Sequence, residues 1–346
     1  MANAHEVARK RHRRSVAWRW IAGGVVLVAL VAFAGARADP RRFATVVEHA
    51  EPTWLLAIVA LQVATYACLV HVWWRVVRRV DGHGPTRRSL VGLALAELFT
   101  DQALPSGGVG GTIFVVSALK RRGVSRAAAG AAVTVSLFGL YAAQLVAVLA
   151  SLIALLVERA LGTLTSTVAA VAVGAAVATP LITISIAVGG LKRMPPWLRR
   201  FSFVETLRGA VASAPRAIIL DPWVVGRATG LRLMILAADG ATLAAALAAL
   251  GHPIGIAEAC IVFSLASTAA SISFLPGGLG GYEAVSIALL IASGVPIEAA
   301  APATLLMRGF SFWLPMVPGV LFARREIAAG RKARRSAARR LLPSLE

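Results

Sequence analysis

Charge is scarce in this chain, and what there is leans heavily one way. Asp, Glu, Lys and Arg make up 15% of its 346 residues, against 58% hydrophobic. That scarcity excludes a water-soluble globular protein, whose surface needs far more polar cover. Cysteine is almost missing. Cys68 and Cys260 sit far apart in apolar stretches, which excludes a disulfide framework and a thiolate metal site. His71 and His252 have no carboxylate or second His at ligand spacing, so no metal is expected. Serines occur without a His–Asp partner. No GxGxxG follows a strand, and no Lys-Ser/Thr pair follows a glycine turn, so neither an enzyme nor a nucleotide cofactor is in view.

What is present is long apolar segments. Crossing about 30 Å of hydrocarbon takes about 20 helical residues. Segments 18–36, 54–74, 127–157, 168–190, 222–250 and 302–323 qualify, which predicts an all-α polytopic membrane protein of about six spans. Although the first run resembles a signal peptide, it is longer than a usual h-region and reads as a retained helix. Lys and Arg gather in 1–19, 75–88, 120–126, 192–216 and 324–346, which together hold 29 of the 36. By the positive-inside rule these segments are cytoplasmic. Both termini then face the inside of a cell (inner or plasma) membrane. The net charge of +20 is therefore a topology signal favouring anionic lipid, with no nucleic-acid partner expected. The organisation is a basic tail (1–15), one membrane domain (16–325) and a second basic tail (326–346). Trp18, Trp20, Trp54, Trp73, Trp74, Trp223 and Trp313 fall near span ends as interfacial anchors do, and 195–221 reads as an amphipathic helix on the cytoplasmic leaflet.

Two apolar segments do not fit as spans. Segment 89–119 has arginines or lysines at both ends, and its legs, 89–104 and 112–119, would be about 24 and 12 Å long. In 256–293 the second leg, 282–293, reaches about 18 Å. Each is interrupted by a Gly-Gly-X-Gly-Gly turn after Leu-Pro, at Gly107–Gly111 and Gly277–Gly281. Each then runs through a short helix, a Gly-Val pair and an Ala triplet (127–129 and 299–301). Both therefore read as re-entrant hairpins. Counting spans makes them enter from opposite faces, an inverted-repeat-like arrangement.

Broken backbone inside a bilayer needs protein or a wet cavity around it. The freed N–H groups at the start of each second leg, near Gly107, Gly108, Gly110, Gly277, Gly278 and Gly280, suit an anion such as a phosphate. Ionisable residues at membrane depth are functional candidates. Glu97 and Asp101 share a face four residues apart, Glu283 follows the second turn, and Arg308 lies inside the last span. Arg232 and Asp239 share a face of the fifth. Arg308 and Glu283 are the candidates for holding substrate, and Glu97, Asp101 and Asp239 for proton or ion coupling. A structural Arg308–Glu283 pair and interfacial snorkelling of Arg227 and Arg232 fit the same residues.

The two glycine turns, Glu283, and Arg308 followed by Phe312-Trp313-Leu314-Pro315 and Gly319 resemble the lysylphosphatidylglycerol synthase transmembrane-region family of flippase-like integral membrane proteins. The resemblance spans about 16–325. It implies movement of lipids between leaflets and weight on Gly277, Gly278, Gly280, Glu283 and Arg308. With 23 residues after the last span, it implies a stand-alone member without the synthase domain. Ser106 is an extra residue in the first turn relative to the second. The expected function is translocation, without ATP hydrolysis, of a phosphate-bearing lipid or lipid-linked precursor, anionic or polyprenyl-phosphate-linked. The alternative is a non-transporting partner or scaffold of lipid or surface-glycan synthesis. A homo-oligomer stays open.

Overall fold

The structure is a computed structural model describing residues 51–103, 109–157, 162–188, 202–271 and 276–341. Within them the chain is helical and carries no strand. The helices are α1 (Pro52–Asp81), α2 (Arg87–Ala103), α3 (Val109–Arg121), α4 (Arg126–Val157), α5 (Thr163–Val188), α6 (Ser202–Ser213), the single turn α7 (Arg216–Ile219) and α8 (Pro222–Ala249). After these come α9 (Ile256–Ser271), a 3₁₀ turn (Pro276–Gly278), α10 (Gly281–Ala292), α11 (Ile297–Arg308), a π turn (Gly309–Trp313) and α12 (Leu314–Leu341).

Five stretches are long and apolar enough to cross a membrane: α1, α4, Thr163–Ser185 of α5, α8, and Ile297–Gly330, in which α11 and α12 run on through the π turn. These match five of the six expected spans; segment 18–36 lies outside the described residues. Both segments set apart as too short are broken helices. Their legs α2, α3, α9 and α10 have 17, 13, 16 and 12 residues, all shorter than any of the five.

Each broken segment ends in the same closure. Gly123 and Gly294 take left-handed φ values of 80° and 88°. The next amide reaches back five residues, Val124 N–H to the Leu119 carbonyl and Val295 N–H to that of Leu290. This is a Schellman ending, which needs glycine because a Cβ clashes at positive φ. Gly-Val therefore marks one backbone event in both halves. Beyond the first closure, Ser125 caps α4 by accepting from the Ala128 amide while donating to Asp81, at 3.0 and 2.6 Å. Ser125→Ala is expected to cost about 1 kcal/mol, read as a lower midpoint in a thermal melt of the detergent-purified protein.

Helix α8 is the hub, packing on α1, α4, α9 and α11. The last helix α12 packs along α2. Gly319 lies against the Leu95 carbonyl and Phe99, and Gly92 against the Phe322 ring. Glu326 of α12 pairs with Arg121 (2.8 Å) and Arg122, tying the end of α3 to the same helix. The helix runs on through the basic segment to Leu341.

The apolar interior is divided. One buried cluster takes in Ile58 of α1, Val148 and Leu155 of α4 and Leu243–Leu247 of α8. The other takes in Val70–Val77 of α1, Ala128–Leu137 of α4 and Ala228 of α8. On α1, α4 and α8 polar residues stand between the two clusters: Gln62 and Thr65 on α1, Gln144 on α4, Arg232 and Asp239 on α8, with Tyr66 and Tyr141 packed against the second cluster.

Two expectations about the periphery change. Trp73 is 1% exposed and belongs to the second core cluster, so it is a packing residue; Trp223, 75% exposed, keeps the anchor's position. The amphipathic segment, described from residue 202, docks on the bundle: Leu207 and Ala210 are buried, and Gly130 of α4 allows the approach of the Ala210 carbonyl.

Candidate functional site

The two broken helices meet: α2 touches the turn Pro276–Gly278. Of the glycines in the first turn, Gly107 and Gly108 lie outside the described residues, and Gly110 stands in the first turn of α3. The second turn is described from Pro276. Gly277, Gly278 and Gly280 have φ of 63°, 64° and 82°, values that a side chain disfavours by about 1–2 kcal/mol each. These glycines are required by the backbone path itself.

At each tip the anion position at the start of the second leg is already filled by a carboxylate of this chain. Asp101, from the end of α2, accepts the Gly111 amide at 2.6 Å at the start of α3. Glu283, from the first turn of α10, accepts the Gly280 amide at 2.7 Å. Helix N-termini favour negative charge, and the chain supplies it. The expectation of free N–H groups is thus corrected at Gly111 and Gly280.

At the second tip the carboxylate pairs with an arginine. Arg308 donates from Nε to Glu283 at 2.9 Å and from Nη2 to the Gly277 carbonyl at 2.7 Å. It lies over Phe312 at 4.3 Å and Tyr282 at 5.2 Å, with residue exposures of 9% for Arg308 and 1% for Glu283. The structural Arg308–Glu283 pair is therefore present, and it spans the turn from both sides. At the first tip the cation is Arg232, within electrostatic reach of Glu97 and Asp101. Its Nη2 donates to Ser136 of α4 at 2.6 Å, while its buried Nε has no hydrogen-bond partner. Arg232 does not snorkel to an interface; it turns inward. Arg227 is exposed, as snorkelling requires.

Glu97 and Asp101 both press on Gly111, where an added Cβ would lie 2.6 Å from the Asp101 carboxyl and 2.7 Å from Glu97 Cγ. Seven residues beyond Arg232 on the same face, Asp239 accepts from Gln62 at 3.1 Å, and Gln62 also donates to Thr242. Glu97, Asp101, Arg232 and Asp239 are each half-buried. Among the described residues no cluster of His, Cys, Asp and Glu could hold a metal.

Glu97, Asp101, Asp239, Glu283 and Arg308 were legible as membrane-depth charges. Ser136 and Gln62 were missed, because single polar residues in apolar helices carry no periodic signal. Gly111 closes the first glycine run, but only its contacts separate it from Gly110.

Paired broken helices with enclosed charges at their tips define a polytopic membrane protein with a polar layer through its middle. Residues 20–319 match the family described as the lysylphosphatidylglycerol synthase TM region. The chain belongs to that family, which ties it to the lipid membrane. No curated protein matches the sequence significantly.

Proposed function

We propose that the chain is a lipid translocase, moving a phosphate-bearing lipid or lipid-linked precursor between leaflets without ATP hydrolysis. The observation that carries this reading is the carboxylate held at the start of the second leg of each broken helix, Asp101 on Gly111 and Glu283 on Gly280, with Arg308 paired to Glu283. A bundle needing only to be stable has no use for such charges, because burying an ion pair barely breaks even against apolar packing. A phosphate is chemically what Asp101 and Glu283 stand in for: an anion that accepts from a helix N-terminus and from an arginine. Exchange of these carboxylates for the substrate phosphate, with Arg232 and Arg308 passing from one to the other, gives each tip a loaded and an empty state. Protonation of Asp101 or Glu97 would favour release of Arg232, which couples movement to protons.

On this reading the hairpins enter from opposite faces of the cell membrane and the basic segments face the cytoplasm. The chain performs no covalent chemistry, and its cargo is an anionic or polyprenyl-phosphate-linked lipid. The family match supports a lipid cargo.

The test is leaflet exchange of fluorescent lipids in proteoliposomes, across a headgroup panel, with and without a pH gradient. Arg232→Gln is expected to slow exchange about tenfold, the value of one charge-assisted contact in the barrier. Equal rates in parent and variant overturn the role of Arg232. No exchange of any phosphate-bearing lipid overturns translocation in favour of a non-transporting partner.

A further inference from the structure

A second polar feature lies away from the hairpins. The C-terminal half of α1 and the N-terminal half of α8 diverge around a half-open groove of about 870 Å³. Its mouth is basic. Arg75, Arg78 and Arg79 project from α1 and Arg227 from α8, all exposed, against one carboxylate among the described residues, Asp221. Asp221 is already committed, accepting from the Trp223 amide at 2.9 Å as the cap of α8 and from Arg79 at 3.1 Å. Among the described residues of the groove, that leaves Arg75, Arg78 and Arg227 without a carboxylate to balance them. Arg75 donates to His71 at 3.1 Å, and Arg78 lies 4.8 Å from the Trp74 ring. Both contacts are made by the guanidinium group with a neutral ring, which orients it while leaving its charge without a carboxylate.

Further along the groove the α8 wall turns apolar, with Leu231 and Met234, Met234 being 60% exposed, facing His71 and the buried Val72 and Val76 of α1. Trp223 stands at the mouth. The groove thus passes, along two helices that cross the membrane, from a cationic rim with an aromatic anchor to a hydrocarbon floor. That gradient matches one ligand class: a phosphate headgroup for the arginines and an acyl chain for the floor.

We infer that the α1–α8 groove is a binding site for an anionic phospholipid of the leaflet at its basic end, separate from the hairpin tips. Arg75, Arg78 and Arg227 hold the phosphate, and Leu231 and Met234 seat an acyl chain. Three surplus guanidiniums select anionic over zwitterionic lipid, and an apolar floor selects a lipid over a free phosphate ester. The site holds whether or not the hairpins translocate, since none of its residues belongs to them.

The experiment is site-resolved photocrosslinking of the purified full chain with phosphatidic acid carrying a diazirine on its acyl chain, followed by peptide mapping. Labelling is expected in 72–76 and 231–234, displaced by unlabelled phosphatidic acid but not by phosphatidylcholine or glycerol phosphate. Arg75→Gln with Arg227→Gln is expected to weaken labelling about 25-fold, at about fivefold per surface cation, and the loss to shrink in high salt. Met234→Trp, at an exposed position that leaves the cores intact, is expected to abolish labelling of α8 by filling the floor. Labelling of these peptides that survives both substitutions overturns the site, as does equal displacement by phosphatidylcholine. Displacement by glycerol phosphate alone overturns the lipid and leaves a simple anion site.

Discussion

Arg308→Gln lowers the stability of the protein by about 3–5 kcal/mol, because it leaves Glu283 charged, buried and without its cation. The same change frees the Gly277 carbonyl, so the second turn loses the clamp that joins its two ends. Glu283→Gln is also costly: a single amide oxygen replaces the two carboxylate oxygens that accept from Gly280 and Arg308, and Arg308 is left buried without its counter-charge. Arg308→Met combined with Glu283→Gln removes the unpaired charge and is expected to recover most of the stability lost in Arg308→Gln, since an apolar replacement of a buried pair is often neutral. Thermal melts of the four proteins in one detergent test this directly. Equal stability of parent and Arg308→Gln would mean the pair holds nothing. Leaflet exchange separates structure from transport: if Arg308 carries phosphate, the double variant folds well and moves lipid no faster than empty vesicles. A double variant that both folds and transports assigns Arg308 to the turn alone.

Gly319→Val separates the first hairpin from the last span. A Cβ there would lie 2.6 Å from the Leu95 carbonyl oxygen and 3.0 Å from Phe99 Cβ. The closer of these is backbone and cannot rotate away, so α2 and α12 must move apart. The expected cost is about 1–3 kcal/mol of overpacking. The displaced α2 carries Glu97 and Asp101, so leaflet exchange falls with stability. Gly92→Ala, across the same contact, meets only the Phe322 ring and is expected to cost less. Melts that rank Gly319→Val at or above Gly92→Ala in stability would overturn the close-packing account.

The architecture was readable from the chain because bilayer thickness converts directly into residue count. The ranges of α1, α4, α5 and α8 follow from apolar runs bounded by basic or turn residues. The two short-legged segments followed from helices too brief to cross and from glycine runs that no bilayer helix tolerates without protein cover. Trp73 shows where such counting stops: position near a span end cannot tell a ring facing lipid from one facing a neighbouring helix. For the same reason Arg232 was open to a snorkelling reading, since depth along a helix is linear in sequence and azimuth toward a partner is not.

By itself, then, the sequence determined an all-α membrane protein, the location of both breaks and the charges at membrane depth. Those are properties of single segments against a slab of hydrocarbon. Only the tertiary structure decided how the charges are used. It set Glu283 between Gly280 and Arg308, Asp101 on Gly111, and Arg232 turned inward to Ser136. It also gathered the polar middles of α1, α4 and α8 into one layer between two cores. The physical reason is that a charge in low dielectric is governed by whichever partners lie within a few ångströms. For Arg232 and Ser136 those partners are 96 residues apart, and packing alone brings them together.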